Sequence, residues 1–151
     1  MRKLCAAVLC LALLLAMAAC GSPGAATPDP GAPQNGFDSV DVDLTALSAT
    51  MVYAEVYNMV SHPEDYIGKT VKMDGAFAYY HDEATGGDYF ACIVQDATAC
   101  CAEGIEFVLA GEHVYPADYP APDEEICVVG EFDTYLEDGN SYCTLRNAHL
   151  L

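Results

Sequence analysis

Two hydrophobic periods divide this chain. Across residues 48–60, Val52, Val56, Met59 and Val60 recur at three- and four-residue spacing, with Tyr53 and Tyr57 on an adjacent stripe. That spacing predicts one amphipathic helix of about 12 residues, capped by Ser48 or Thr50. Pro63 pushes His62 out of the α region and ends the helix. After Gly68 the period falls to two. Val71, Met73, Gly75, Phe77 and Tyr79 share one face and Lys72 and Asp74 the other, as in a half-buried strand. Residues 82–88, with Gly86 and Gly87, turn the chain into a second strand, 89–95. A short Cys-bearing loop leads to a third, 105–109, where Ile105, Phe107 and Leu109 alternate with Glu106 and Val108. Residues 111–125 hold Pro116, Pro120 and Pro122, which suits neither a helix nor a central strand. A fourth strand, 126–135, turns at residues 137–140 into a fifth, 141–149.

A faint internal echo accompanies these strands. Pro63-Glu64-Asp65-Tyr66 precedes a strand containing Gly75-Ala76-Phe77, and Pro116-Ala117-Asp118-Tyr119 precedes one containing Gly130-Glu131-Phe132. Glycine in the middle of a strand weakens a flat sheet but suits the bulge or bend that a small barrel needs. One helix and five short strands favour such a barrel over a sandwich, which usually has seven. Residues 66–75, Tyr-Ile-Gly-Lys-Thr-Val-Lys-Met-Asp-Gly, resemble the entry to the first strand of bacterial OB-type domains, where a Gly-Lys turn precedes an alternating strand. The resemblance extends over residues 50–151. It implies a mainly β fold: a small five-stranded OB-like antiparallel barrel preceded by one N-terminal amphipathic helix. The helix usual between OB strands three and four is replaced by the Pro- and Tyr-rich segment 111–124. The N-terminal helix is expected to plug the barrel instead.

The beginning of the chain has neither period. Arg2 and Lys3 precede sixteen apolar residues, 4–19, with Ala18 and Ala19 directly before Cys20. Sixteen residues fall short of a bilayer span, and the small-residue end is a cleavage feature. Met17-Ala18-Ala19-Cys20 resembles the bacterial lipobox, which implies lipidation of Cys20, and the whole chain is similar to small lipoproteins of gut Firmicutes. The expected organisation is a lipoprotein signal peptide over 1–19, a lipidated Cys and Gly/Pro/Ala linker over 20–38, and the OB-like domain over 39–151. Gly, Ala and Pro make the linker a semi-flexible tether.

Charge narrows the partners. The whole chain carries −18, and removal of the signal leaves Lys69, Lys72 and Arg146 as the basic residues against 23 acidic ones. Affinity for phosphate backbones comes chiefly from Lys and Arg, so no nucleic-acid partner is expected. The same charge repels anionic headgroups, which leaves the lipid anchor as the membrane contact. The expected location is the cell membrane, anchored on the extracytoplasmic side.

Candidate chemistry sits in cysteines and tyrosines. Beyond Cys20 the chain has Cys92, Cys100, Cys101, Cys127 and Cys143, an odd set that leaves at least one thiol without an intramolecular partner. Parity puts Cys92 with Phe90 and Val94 on one strand face, and Cys143 with Leu145 inward. Three readings compete for the set. The thiols are buried or bridged, for instance Cys92 to Cys100 or Cys101; or Cys92, Cys100 and Cys101 hold Zn or Cu(I), with another Cys, a His or a carboxylate completing the site; or two of them form a redox pair. Asp82, Glu83 and Asp88 lack the order of a calcium loop. Tyr79, Tyr89, Tyr135 and Tyr142 are the candidate ligand face, since tyrosines on strands can line a groove for stacking. No G-x-S-x-G, H-E-x-x-H or phosphate loop occurs, and no catalytic residue is assigned. The function expected is a non-catalytic binding module for a small ligand, metal or envelope partner. A structural or assembly role, or a thiol-redox role, is the alternative.

Overall fold

The computed structural model describes Phe37 and residues 39–151; the signal segment, Cys20 and most of the linker lie outside the described residues. Among the described residues the chain is mainly β, with one α-helix, and no helix is long and apolar enough to cross a membrane. The strands are β1 (Val42–Asp43), β2 (Thr70–His81), β3 (Asp88–Gln95), β4 (Ala102–Leu109), β5 (Glu125–Glu137) and β6 (Asn140–Leu150); the helix, α1, spans Ala49–Ser61.

α1 starts at Ser48, whose backbone is extended but whose hydroxyl makes no capping bond, and ends at His62 before the 3-10 turn Pro63–Asp65. Its inward stripe is narrower than the apolar pattern suggests. Val56 and Met59 are fully buried, Val52 is half-buried, and Val60 is exposed. The helix packs across β3 and β4. A hydroxyl inside this packing fixes its approach: Tyr66 Oη donates to Glu55 Oε1 at 2.7 Å and accepts from Asn58 Nδ2 at 2.6 Å.

The six strands form one mixed sheet in the order β1-β2-β3-β4-β6-β5, and β5 also pairs with β2. Hydrogen bonding therefore runs from β2 through β3, β4, β6 and β5 and back to β2. The antiparallel expectation is corrected here, because β4 pairs with β6 in parallel and β1 with β2 in parallel. Parity supplies the reason. A ring of five strands cannot alternate direction at every pairing, so at least one pairing must be parallel, and it falls where β6 returns beside β4.

β2 closes this circuit by changing partners along its length. Residues Thr70 to Ala76 pair with β5, and residues Ala76 to His81 pair with β3. Gly75 stands at the changeover, with its missing side chain on the core face between buried Met73 and Phe77. A Cβ there would lie 2.5 Å from the Ile93 carbonyl oxygen and 2.8 Å from Cys92 Sγ. Gly130 plays the matching part in β5. The β5–β6 register slips between Val129 and Glu131, and a Cβ on Gly130 would lie 2.8 Å from Leu145 Cβ. Both glycines of the sequence echo thus sit where backbones crowd at a bend.

The interior gathers Phe77, Phe107 and Phe132 with Val71, Met73, Ile105 and Leu145, all essentially without exposure. Segment 111–124 forms no helix or strand and folds back over β2 and β3. There Tyr119 stacks on Phe90 with centroids 4.0 Å apart, and Tyr115 stacks on Tyr79 at 3.9 Å. Among the described residues one buried side-chain polar atom is left over: Thr144 is 3% exposed and its Oγ1 has no hydrogen-bond partner. An unpaired buried hydroxyl costs about 1–3 kcal/mol. Thr144→Val keeps the shape and removes that cost, so it is expected to raise the stability measured by denaturant unfolding by about 1 kcal/mol. Unchanged or lower stability would mean that the hydroxyl is satisfied.

Candidate functional site

Four strands in two hairpins bring tyrosines that are far apart in sequence to one groove. Tyr79 and Tyr80 come from the end of β2, Tyr89 from the start of β3, Tyr135 from the end of β5 and Tyr142 from the start of β6. The registers Tyr80 opposite Tyr89 and Tyr135 opposite Tyr142 hold them in pairs. Together with Asp82, Glu106, Glu137 and Asp138 they line a groove of about 450 Å3 between the β2–β3 turn and the β5–β6 hairpin. All four tyrosines of the expected ligand face are in its wall. Tyr80, the most exposed of the group at 63%, joins them from the same strand as Tyr79; Asp82 reads from sequence only as part of an acidic turn, and Glu106, Glu137 and Asp138 are additions that sequence reasoning missed.

The phenols are tied to carboxylates. Tyr135 Oη donates to Glu106 Oε2 at 2.5 Å, Tyr89 Oη to Glu137 Oε1 at 2.6 Å, and Tyr79 Oη to Asp88 Oδ1 at 2.8 Å. His81 Nδ1 lies 2.7 Å from the same Asp88 oxygen. These bonds fix the rings and leave lone pairs on the carboxylates. Burial raises the Glu106 carboxyl above its ordinary 4.5, although the bond from Tyr135 opposes this. Burial and the bond to Glu106 raise the Tyr135 phenol, and the bond to Glu137 followed by burial raises that of Tyr89. Asp88 is held below the usual carboxylate range by His81 and then Tyr79. No Lys or Arg lines the groove. Tyr135 stacks on Tyr142 at 5.5 Å, whereas Tyr79 has one ring face covered by Tyr115. The ring faces of Tyr80 and Tyr89, which are tilted against each other and not stacked, are therefore the better placed for stacking.

A neighbouring concavity of about 480 Å3 shares Tyr89, Glu106 and Tyr135 and is otherwise lined largely by β4 and β6. Its Arg146 is 3.1 Å from Asp133, so its wall carries mixed charge.

The cysteines do not form one cluster. Cys92 is fully buried in the core of β3, and burial, followed by nearby Asp74, pushes its thiol up to about 12. Cys127, half-buried on β5, is likewise pushed up to about 12 by burial and then by a bond with Asp74. Burial also raises Cys143. All five thiols beyond Cys20 are free. Cys100 and Cys101 lie instead on the exposed β3–β4 loop, with Sγ atoms 3.6 Å apart and Asp96 Oδ2 3.3 Å from Cys100 Sγ. Asp96 is the residue that spacing alone did not supply. Its signal is local: Asp followed two residues on by Thr is a turn-forming pair, and Asp96 Oδ1 accepts from the Thr98 amide at 3.2 Å.

Comparison of the chain with protein-family models, with curated proteins and with solved structures finds no match in any of the three.

Proposed function

We propose that the protein is a lipoprotein anchored through Cys20 on the extracytoplasmic side of a bacterial cell membrane, acting as a non-catalytic binding module. Its domain is read as a small OB-like barrel: the circuit β2-β3-β4-β6-β5-β2 and the parallel β4–β6 pairing support that reading over a sandwich. The ligand class follows from the groove. Tyrosine faces beside Asp82, Glu106, Glu137 and Asp138, with no cation among the lining residues, favour a small organic cation such as an ammonium. Ring faces attract cations electrostatically, and partly desolvated carboxylates add charge pairing. That juxtaposition is the observation that carries the reading.

A melting-temperature screen of primary and quaternary alkylammonium ions against neutral isosteres tests it. A ligand at a hundredfold excess over its Kd stabilises the folded state by about 2.7 kcal/mol, so saturable rises confined to the cations are expected. Equal responses to neutral isosteres would remove the charge argument. For the anchor, Cys20→Ala is expected to move the protein from the membrane fraction to the soluble fraction, because the acidic domain has no attraction of its own for anionic headgroups. Fractionation followed by immunoblotting checks this, and a variant that stayed membrane-bound would overturn lipidation as the attachment.

A further inference from the structure

We propose that the β3–β4 loop is a zinc site whose protein ligands are Cys100, Cys101 and Asp96. It lies at the far end of β3 from the tyrosine groove and does not depend on the ammonium reading.

The loop is built around the Asp96 carboxylate. Its Oδ1 accepts from the backbone amides of Cys100 at 2.9 Å and Cys101 at 3.4 Å, while the Asp96 amide donates to the Cys101 carbonyl at 3.0 Å. These bonds hold both cysteines against one carboxylate and leave its second oxygen, Oδ2, turned toward the thiols. Consecutive side chains on an extended chain point to opposite sides. Here the backbone turns at Ala99, with φ of +53°, and the two Sγ atoms come to the same side. One donor atom from each of the three residues lies within 4.8 Å of the others.

Two of the three donor separations match what zinc requires, and the third, from Cys101 Sγ to the Asp96 carboxylate, lies within 4.8 Å. Tetrahedral coordination with Zn–S near 2.3 Å and Zn–O near 2.0 Å sets S···S at about 3.8 Å and S···O at about 3.5 Å. The observed separations are 3.6 Å between the sulfurs and 3.3 Å from Cys100 Sγ to Asp96 Oδ2. Zinc binding releases the protons of both thiols to solvent, including the one that now bridges Cys100 Sγ and Asp96 Oδ2. Both cysteines are exposed, so the ion needs no opening of the fold and its fourth position faces solvent. Thr98 Oγ1, 2.9 Å from Asp96 Oδ2, steadies the carboxylate from outside, the arrangement common around metal ligands.

Donor chemistry selects the metal. Two thiolates exclude magnesium and calcium as preferred ions, and the carboxylate is a poor partner for Cu(I), which leaves borderline Zn2+ as the best match for S2O. The acidic surface raises the local concentration of any divalent cation.

The test uses the mature protein purified from membranes in detergent, with reductant and without chelators, titrated with Zn2+ against a chromophoric chelator. One zinc per chain is expected. Cys100→Ser and Cys101→Ser should each weaken binding roughly 100-fold or more, and Asp96→Asn roughly 10-fold to 100-fold, while Cys143→Ser leaves it unchanged. Because the loop is exposed, circular dichroism and melting of the variants should match the parent. Co2+ in place of zinc should give a thiolate charge-transfer band that the Cys100→Ser/Cys101→Ser double variant lacks. Absence of stoichiometric zinc in the reduced protein would overturn the proposal. So would zinc affinity unchanged in the double variant, or Cu(I) binding unaffected by Asp96→Asn in a protein that takes no zinc.

Discussion

Gly75→Ala is expected to destabilise the domain by about 3 kcal/mol, at the upper end of the usual cost of overpacking. The new methyl group would meet the Ile93 carbonyl oxygen at 2.5 Å and Cys92 Sγ at 2.8 Å. The sulfur can move a little, but the carbonyl belongs to the β3 backbone, and moving it disturbs the pairing of Ile93 with Ala76 and Gly104. β2 has no slack at this point because Ala76 is shared between Ile93 and Glu125. A domain of this size has about 5–15 kcal/mol in all, so the midpoint of urea unfolding should fall clearly while the slope stays constant. Ala78→Gly is a useful contrast: also in β2, beyond the changeover, it should cost only about 1 kcal/mol through backbone entropy. If Gly75→Ala cost no more than that, the crowding at the β2 changeover would not be what holds the circuit closed.

Glu106→Gln is expected to weaken binding of an ammonium ligand roughly tenfold to a hundredfold, or about 1.4–2.8 kcal/mol. The substitution keeps an oxygen to accept from Tyr135 and removes only the charge. Two pH signatures follow from the raised Glu106 carboxyl. The charged form is the one that pairs with a cation, so affinity should fall as pH drops through the raised value, higher than the 4.5 of an ordinary Glu. The variant should lose that step. Stability runs the other way. Between 4.5 and the raised value the folded state holds more proton than the unfolded state, so the contribution of Glu106 to stability declines as pH rises through that window. Glu106→Gln should therefore be slightly more stable than the parent at neutral pH while binding more weakly, a split that simple unfolding could not produce.

Much of the fold is legible because the hydrophobic period switches cleanly. Val71, Met73 and Phe77 announce β2, and Ile105, Phe107 and Leu109 announce β4, each alternating with outward-facing residues. α1 is legible as a helix, but Val60 sits at the margin of its stripe, and only packing against β3 and β4 decides that it faces outward. The two-residue β1 has no period to detect. The parallel β4–β6 pairing is a property of ring closure by an odd number of strands and is written in no local stretch of sequence.

The sites divide along similar lines. Parity places Cys92 on one face of β3 with Phe90 and Val94, but its short spacing to Cys100 and Cys101 groups the three in sequence, and only burial in the core separates Cys92 from the exposed loop. Asp96 joins those two because of backbone hydrogen bonds in a tight loop, which composition does not encode. Tyr89 and Tyr142 are separated by some fifty residues of chain, and only the pairings of β3 with β4 and β4 with β6 bring their two hairpins to one groove. Glu106 reads as a solvated strand position from sequence. Its half-burial comes from Tyr135, a residue of another strand, lying across it.

The most direct test of the cation-binding account is a titration of isotope-labelled protein with butylammonium, followed by chemical shift. Saturable changes centred on Tyr89, Glu106, Tyr135 and Tyr142, moved to at least tenfold higher concentration by Glu106→Gln and absent with butanol, are the predicted result. Changes scattered over the surface, or the same shifts with butanol, would contradict it.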